Sequence, residues 1–294
     1  MSGAQLTYAV ITPARNEADD LPRLAGSLTE QTVLPRSWII VDDGSTDETR
    51  DLASGLAASH DWTVLVETSA SPSTQRGGKV VRAFLTGLAA LPSEPDVVIK
   101  VDADVSFPSD YFERLLAAFA RDDRLGMASG SGYELKNGVW RERHMTAGSL
   151  WGAARAYRWA CLQDVLPLEE RMGWDGIDAL KANLHGWETR LLSDLSFRHH
   201  RIEGERDGRR IGSWATQGRG AHYMGYRPLY LVLRSLNYSR GEGAALFMIV
   251  GYVQAAIARQ ERCDDELVMA TLRRRQRLRD VPTRALEALG RRAT

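Results

Sequence analysis

A chain of 294 residues, of which 44% are hydrophobic, is long enough to bury a sizeable core. Lysine plus arginine and aspartate plus glutamate both number 38, so net charge gives no electrostatic reason to expect a nucleic-acid partner. Cys161 and Cys263 make neither a metal-knuckle spacing nor a disulfide framework, and the first residues lack the features of a signal peptide. We therefore expect a cytoplasmic protein.

The first half of the chain alternates short apolar runs with amphipathic segments. This pattern is typical of βαβ units and of a mainly parallel sheet flanked by helices. The sequence thus predicts an α/β fold whose ligands bind at the carboxyl ends of the strands. The predicted strands run from Tyr8 to Thr12, from Trp38 to Val41, from Thr63 to Glu67 and from Val97 to Val101.

Charged side chains follow the first two predicted strands. The first strand continues into Pro13, Arg15 and Glu17, and the second into an acidic stretch that contains Asp43. A carboxylate at Asp43 can accept hydrogen bonds from a nucleobase or a ribose, while the serine and threonine that follow can cap the next helix. Asp47 is expected to stabilise the start of that helix.

Two aspartates follow the fourth predicted strand. Asp102 and Asp104 are separated by one residue, and paired hard oxygen ligands suit Mg²⁺ or Mn²⁺, which can bridge them to a diphosphate. An aspartate here can also simply cap a turn. Because three polar loops converge on one sheet edge, we favour the metal-binding interpretation.

In order and spacing these motifs resemble glycosyltransferase family 2, whose members have the GT-A fold. The matching elements are Pro13 to Glu17, Val41 to Ser45, Lys79 after Gly77 and Gly78, and Asp102 to Asp104. The resemblance implies inverting, metal-dependent transfer of a hexosyl group from a UDP-, GDP- or dTDP-linked donor. It places Pro13, Arg15, Glu17 and Asp43 at the nucleoside, and Lys79 and Asp102 at the diphosphate.

Lys79 also has a plainer interpretation, as a surface lysine before a helix. The two preceding glycines favour the functional one, because they would let backbone approach a phosphate.

An inverting transfer needs a carboxylate that takes the proton of the acceptor hydroxyl. The family usually places it in a Glu-Asp pair at a helix start, about eleven residues before a glycine, and Asp175 stands at that distance before Gly186. Trp174 occupies the place where an acid is common. Asp178 remains the rival candidate, although it can equally be a charge at the start of the helix.

A histidine after a late strand is commonly the family's third metal ligand. Leu195 to Phe197 is predicted as that strand, and the alternation of side chains favours His199 over His200. Arg219 is a further candidate for the diphosphate, because guanidinium groups suit phosphate oxygens.

Glycines and charges elsewhere predict irregular segments. Gly130 and Gly132 indicate a loop, and the stretch from Arg198 to Arg219 indicates a flexible loop over the site. Between them, a helix is predicted from Asp178 to His185, ended by Gly186.

The predicted organisation is a GT-A-like domain over residues 1–225, with a donor half over about 1–125 and an acceptor half over about 126–225. A helical region over 226–294 follows. Its apolar run from Ala244 to Ile257 is shorter than the roughly 20 residues of a bilayer span, which favours a buried or interfacial helix. The basic run from Arg273 to Arg279 suits either an anionic membrane surface or solvent. A glycan or lipid-linked acceptor at the inner face of a membrane fits these features.

Two other functions stay open. A nucleotidyltransferase also uses acidic residues and a divalent ion, but it usually has a Gly-rich loop after its first strand, and Thr12 to Glu17 contains no glycine. A module that binds nucleotide sugars without turnover would keep the pocket and lack a working base.

Overall fold

The computed structural model describes residues 5–69, 77–136, 138–143, 150–201 and 210–277. Nine strands form one mixed sheet in these residues. The strands are β1 (Tyr8–Ala14), β2 (Ser37–Asp43), β3 (Thr63–Thr68), β4 (Val97–Val101), β5 (Val105–Ser106), β6 (Leu125–Lys136), β7 (Val139–Glu142), β8 (Ala154–Arg158) and β9 (Glu188–His199). The four strands predicted for the first half of the chain are confirmed, and the strand predicted from Leu195 to Phe197 lies within β9.

The sheet has a parallel half and a mixed half. Its order is β3-β2-β1-β4-β8-β6-β9-β5, with β7 paired to β6. The first four strands run parallel, and β8 joins them antiparallel to β4. Strands β1, β2 and β4 are apolar along nearly their whole length because helices cover both faces of the sheet there.

Helices pack on both faces of the sheet and form the C-terminal part of the described chain. Leu24 of the first helix and Phe119 of the fourth belong to one core, and Phe84 of the third and Leu162 of the fifth belong to the other. The helices are α1 (Leu21–Thr29), α2 (Thr49–Ser59), α3 (Gly78–Ala89), α4 (Tyr111–Arg121), α5 (Trp159–Val165), α6 (Trp174–Leu184), α7 (Arg210–Tyr223), α8 (Pro228–Ser239), α9 (Phe247–Ile257) and α10 (Glu266–Arg275). Helix α6 ends just before Gly186, whose φ of 87° is left-handed, as predicted.

The prediction of a loop at Gly130 and Gly132 is wrong, because both residues lie inside β6. A Cβ on Gly130 would lie 2.5 Å from the Leu195 carbonyl oxygen, and one on Gly132 would overlap the Trp151 ring. These glycines permit close approach within the sheet.

The prediction of a flexible loop from Arg198 to Arg219 is wrong where the structure describes it. Strand β9 continues to His199, and α7 begins at residue 210. Residues 202–209 lie outside the described residues. Gly218 allows α7 to pack closely against α9, since a Cβ on this residue would lie 2.0 Å from the Met248 carbonyl oxygen.

We expect Gly218→Ala to lower the free energy of unfolding by about 1–3 kcal/mol, because the added methyl group must push α7 and α9 apart. The matched control is Gly55→Ala in α2, where nothing lies within 4 Å of the added Cβ. That change should stabilise the protein by about 0.5–1 kcal/mol through helix propensity. Urea unfolding curves measure both values, and equal midpoints for the two variants would contradict the prediction.

The C-terminal helices form two contacts with the rest of the chain. Residues of α7, α8 and α9 share one apolar cluster, and α10 packs on α6 through another. Because α7 precedes residue 225 and packs with helices that follow it, the domain division at that residue stays a prediction. Among the helices of the described residues, none combines the length and the apolar character that crossing a bilayer requires.

The basic run is partly used in structural contacts. Arg273 donates a hydrogen bond from Nε to the Gly225 carbonyl at 3.1 Å, and Arg275 donates from Nη2 to Asn183 Oδ1 at 3.0 Å. Arg279 lies outside the described residues. Both interpretations of this run, contact with a membrane surface and exposure to solvent, therefore stay predictions.

Candidate active site

The loops after β1 and β2 bring the predicted nucleoside residues together. Arg15 Nη1 lies 3.6 Å from Asp43 Oδ2, and Asp43 is only 7% exposed. Thr68 at the end of β3 donates a hydrogen bond to Asp43 Oδ1 at 3.3 Å. Pro13 pairs with Val41 at the same sheet edge. Three neighbouring parallel strands thus end in one polar wall.

Hydrogen bonds between the two loops hold this wall in place. Asn16, which has a positive φ of 53°, accepts at Oδ1 from the Thr46 N–H at 2.8 Å. Asp47 accepts at Oδ1 from the Thr49 N–H at 3.1 Å and at Oδ2 from the Ala18 N–H at 3.2 Å. Asp47 therefore stabilises the start of α2, as predicted. The side chain of Ser45 bonds to Asn16 and Asp42, and the backbone of Thr46 bonds to Asn16. These two residues therefore hold the loops together instead of capping the helix.

Arg201 joins the wall to the loop after β4. Its Nη2 donates to Glu17 Oε2 and to Asp20 Oδ2, each at 2.5 Å, while its Nε lies 3.7 Å from Asp104 Oδ2. Glu17 is buried, with 6% exposure. One guanidinium group therefore spans carboxylates from two different sheet loops.

Asp104 and His199 fit a shared divalent cation. His199 ends β9, and its Nε2 lies 3.4 Å from Asp104 Oδ1, a buried oxygen with no hydrogen-bond partner among the described residues. Two ligands that each bind a small ion at about 2.1 Å, on neighbouring corners of an octahedron, lie about 3 Å apart. Leu195, Phe197 and His199 are all buried, so the predicted alternation along β9 is confirmed.

The predicted set of three ligands is not assembled. Lys100, a buried residue of β4, donates hydrogen bonds from Nζ to Asp102 Oδ1 and to the Gly152 carbonyl. The ammonium group therefore competes with any ion for Asp102. Within the described ranges, no three side chains of the types that bind metals gather closely enough to hold an ion. The chemistry of the donors fits, but the part of Asp102 stays a prediction.

The electrostatics around Asp104 favour its charged form. Burial by itself would raise the pKa of Asp104, but His199, Arg201 and Lys100 together lower it. Burial would likewise lower the pKa of His199, and the carboxylates of Asp104, Asp102 and Glu134 together raise it. The site is thus a balanced cluster of opposite charges, in which an added cation can replace a proton on the imidazole.

The two candidate bases have different surroundings. Asp175, in the first turn of α6, is exposed, and a Cβ on Gly152 would lie 3.9 Å from its Oδ2. The neighbouring carbonyl of Ala153 accepts a hydrogen bond from the Asp102 N–H at 2.8 Å. Asp175 therefore lies beside the strand segment that holds the loop after β4.

Asp178 is 1% exposed and is fully committed to a buried network. It accepts hydrogen bonds from Arg155 Nε at 2.9 Å and Nη2 at 2.6 Å, and from the Tyr157 hydroxyl at 2.6 Å. Both carboxylate oxygens are in use, which is typical of a structural ion pair.

Lys79 and Arg219 both lie on helices, in α3 and α7 respectively. Lys79 is half-buried in the first turn of α3. Gly77 has a positive φ of 90°, and a Cβ added to it would lie 3.0 Å from the Arg171 backbone, so local packing explains that glycine. Arg219 donates to Thr216 Oγ1 at 2.7 Å within α7. The roles of both residues at a diphosphate stay predictions.

Sequence reasoning missed two residues that shape this site. Lys100 interrupts an otherwise apolar strand, and a buried lysine needs a nearby anion, so its place in the sequence was a signal. Arg201 directly follows the two histidines, but its partners lie more than 90 residues away in the chain. No local pattern could have identified them.

Known proteins resemble this chain in sequence and in fold. A family model described as Glycosyl transferase family 2 matches residues 9–169, more than half of the chain. The succinoglycan biosynthesis protein ExoA of Rhizobium meliloti (strain 1021) is 32% identical over 120 residues, which cover 40% of this chain and 34% of that protein. The 4,4'-diaponeurosporenoate glycosyltransferase of Staphylococcus haemolyticus (strain JCSC1435) is 30% identical over 130 residues, 44% of this chain and 32% of that protein. This chain thus spans about a third of the length of both relatives.

Solved structures share the fold over nearly the whole chain. The mannosyltransferase PcManGT from Pyrobaculum calidifontis, in complex with GDP-Man and Mn²⁺, has a TM-score of 0.60 at 17% identity and covers 97% of this chain and 84% of its own. S. aureus TarS 1-349 in complex with UDP-GlcNAc has a TM-score of 0.60 at 20% identity, covering 97% of this chain and 91% of its own. The predicted GT-A-like fold with a helical C-terminal region is confirmed.

Proposed function

Because the chain belongs to glycosyl transferase family 2, we propose that it transfers a sugar, with inversion, from a nucleotide diphosphate donor to a hydroxyl acceptor. The observation that carries the proposal is the position of Arg201, which contacts Glu17 after β1 and Asp104 after β4. Arg201 thus joins the loop proposed to bind the nucleoside to the loop proposed to bind the cation. The matched family favours sugar transfer over the nucleotidyltransferase and non-catalytic alternatives.

Residues of the first two loops bind the nucleoside in this proposal. Asp43, held by Arg15 and Thr68, presents a buried carboxylate that can accept hydrogen bonds from ribose or base. Glu17 is held by Arg201 in the same wall. Pro13 stiffens the turn out of β1, and Lys79 and Arg219 supply positive charge for the diphosphate.

Asp104 and His199 would hold a Mn²⁺ or Mg²⁺ ion, with Asp102 as the third ligand once it is released from Lys100. Such an ion, when bound, supplies neutralisation of the charge on the departing diphosphate. The chain itself holds the Asp104 Oδ1 and His199 Nε2 atoms 3.4 Å apart in a buried position. PcManGT, which shares the fold, was solved with Mn²⁺.

Asp175 is the general base of the proposed reaction. Its carboxylate is exposed and lies next to Gly152, whereas both oxygens of Asp178 are engaged by Arg155 and Tyr157. A base needs an accessible, unoccupied oxygen near the incoming hydroxyl. Asp175 takes the proton as the acceptor oxygen attacks the anomeric carbon and the diphosphate leaves from the opposite face.

The acceptor is proposed to be a glycan or a lipid-linked molecule, handled in the cytoplasm at the inner face of a membrane. The two buried, unpaired thiols agree with a reducing compartment. The two relatives are named for the biosynthesis of succinoglycan and for glycosyl transfer to diaponeurosporenoate.

Titration calorimetry with a panel of nucleotide sugars, with Mn²⁺ and with EDTA, tests the cation site. Asp104→Ala should weaken Mn²⁺-dependent donor binding by more than about 100-fold, since loss of an outer-shell partner alone costs about 10- to 100-fold. Asp123→Ala, at an exposed aspartate between α4 and β6, is the control and should bind as the wild type does. Undiminished binding by the Asp104 variant would remove the cation assignment.

A further inference from the structure

Helix α9 is apolar on its outer side as well as on its inner side. Met248, Gly251, Tyr252 and Ala255 face the protein and are buried. Val250, Val253 and Ile257, spaced three and four residues apart, point the other way with exposures of 43%, 46% and 79%. A surface helix normally carries polar residues on that side.

Helix α8 repeats this arrangement. Leu231 and Ser235 are buried, while Leu229, Leu233 and Leu236 are 51%, 39% and 49% exposed. Their spacing of four and three residues again places them on one side of the helix.

The two helices form one unit. Leu231 of α8 and Met248 and Tyr252 of α9 share a buried cluster, and Ser235 Oγ donates to the Ala245 carbonyl at 2.8 Å. Each exposed stripe therefore lies on the side of its helix that is turned away from the common core. We call them together the outward face: Leu229, Leu233, Leu236, Val250, Val253 and Ile257.

Charges and rings around this face match a bilayer surface. Arg240 directly follows α8 and Arg259 lies just beyond α9, and both are exposed. Glu242 is the one acidic residue between Tyr226 and Gln260, against four arginines, of which Arg234 donates to the Tyr226 hydroxyl and Arg227 to the Arg273 carbonyl. Partly exposed aromatic rings, Tyr238 at 38% and Phe247 at 37%, accompany the aliphatic side chains. Apolar side chains flanked by aromatic rings and arginines are the composition that binds the interface of anionic lipids.

We propose that the outward face docks this protein on an anionic lipid bilayer, with α8 and α9 lying at the interface. The apolar side chains enter the boundary between headgroups and acyl chains, and Arg240 and Arg259 contact lipid phosphates. A second copy of the chain would need negative charge opposite these arginines, and the face itself offers little.

Two residues between α7 and α8 connect α9 to the helix that carries the candidate base. Tyr252 of α9 donates its hydroxyl hydrogen bond to the Tyr226 carbonyl at 2.9 Å. Nearby, Met224 packs against the start of α6, where a Cβ on Gly176 would lie 3.5 Å from its sulfur.

Flotation with vesicles tests the proposal without any sugar donor. The wild type should float with vesicles of equal parts phosphatidylcholine and phosphatidylglycerol, and less with phosphatidylcholine alone. The triple variant Val250→Ser, Val253→Ser, Ile257→Gln should partition at least about tenfold less. The matched control, Leu34→Gln with Val64→Ser, changes side chains that are 49% and 37% exposed on the sheet domain, and should float as the wild type does.

A second variant tests the charges and guards against misfolding. Arg240→Gln with Arg259→Gln keeps the apolar side chains, and should lose most of the preference for anionic vesicles. Thermal unfolding of each variant confirms that it is folded, and Leu229→Gln with Leu233→Gln repeats the apolar test on α8.

Three outcomes would overturn the proposal. The first is that the wild type does not float with anionic vesicles, and the second is that the α8 and α9 variants float as well as the wild type. The third is that sedimentation shows wild-type dimers that these variants disperse, which would assign the face to a second copy. Donor binding by calorimetry is independent of all three, so failure here leaves the proposed transfer intact.

Discussion

Asp175→Asn should reduce sugar transfer by about 10²- to 10⁴-fold while leaving donor binding unchanged. The size of the loss is that of removing a general base. The amide has the shape of the carboxylate but cannot take the acceptor's proton. Because Asp175 is exposed at the start of α6, the substitution should change stability little. Release of nucleoside diphosphate, measured with saturating donor and acceptor, gives the rate.

Asp178→Asn is the matched control for this experiment. It weakens the buried pair with Arg155, so it should lower the unfolding temperature, yet the protein that remains folded should turn over. The reverse pattern, with normal turnover by the Asp175 variant, would make Asp178 the base. A wild type that binds donors but releases no product with any acceptor would favour a binding module.

Arg155→Met should lower the free energy of unfolding by about 3–5 kcal/mol. Arg155 is completely buried in β8, and its removal leaves the Asp178 carboxylate in the interior without its partner. The guanidinium also donates to the Leu150 carbonyl at 3.0 Å and the Asp175 carbonyl at 2.6 Å. For a chain of this size the unfolding temperature should fall by on the order of 10 °C.

Two further variants separate the buried charge from a general effect of losing an arginine. Arg124→Met removes an exposed pair with Glu188 and should change stability by less than about 0.5 kcal/mol. Adding Asp178→Leu to Arg155→Met removes the stranded carboxylate and should recover part of the loss. If Arg155→Met and the double variant had the same free energy of unfolding as Arg124→Met, the pair of Arg155 with Asp178 would not contribute to stability.

Arg155 also links stability to the proposed chemistry. By binding both the Asp178 side chain and the Asp175 backbone, it sets where α6 begins relative to β8. The buried ion pair therefore positions the backbone of the exposed candidate base. This arrangement explains why two aspartates three residues apart have such different surroundings.

The parallel half of the fold was readable from the sequence because its strands are buried on both faces. Such strands must be apolar along their length, as β2 and β4 are, and their carboxyl ends must be polar where ligands bind. The approach of Arg15 to Asp43 follows from that rule. The end of helix α6 was readable for a different reason, because Gly186 marks it.

Glycines were misread because their local signal is ambiguous. Gly132 and Gly218 look alike in the sequence to glycines of flexible loops. In the structure one makes room for the Trp151 ring and the other for the backbone of α9. Whether a missing side chain serves a turn or a close contact depends on a partner that lies far away in the chain.

The sequence by itself determined the strands of the parallel half and the chemical groups at their ends, because side-chain periodicity and turn residues act between near neighbours. Only the tertiary structure decided how those groups pair. In the folded chain Lys100 donates a hydrogen bond to Asp102, Asp178 is buried against Arg155, and Arg201 lies between Glu17 and Asp104. The physical reason is that burial and ion pairing depend on distances across the folded chain, and segments far apart in sequence supply both partners.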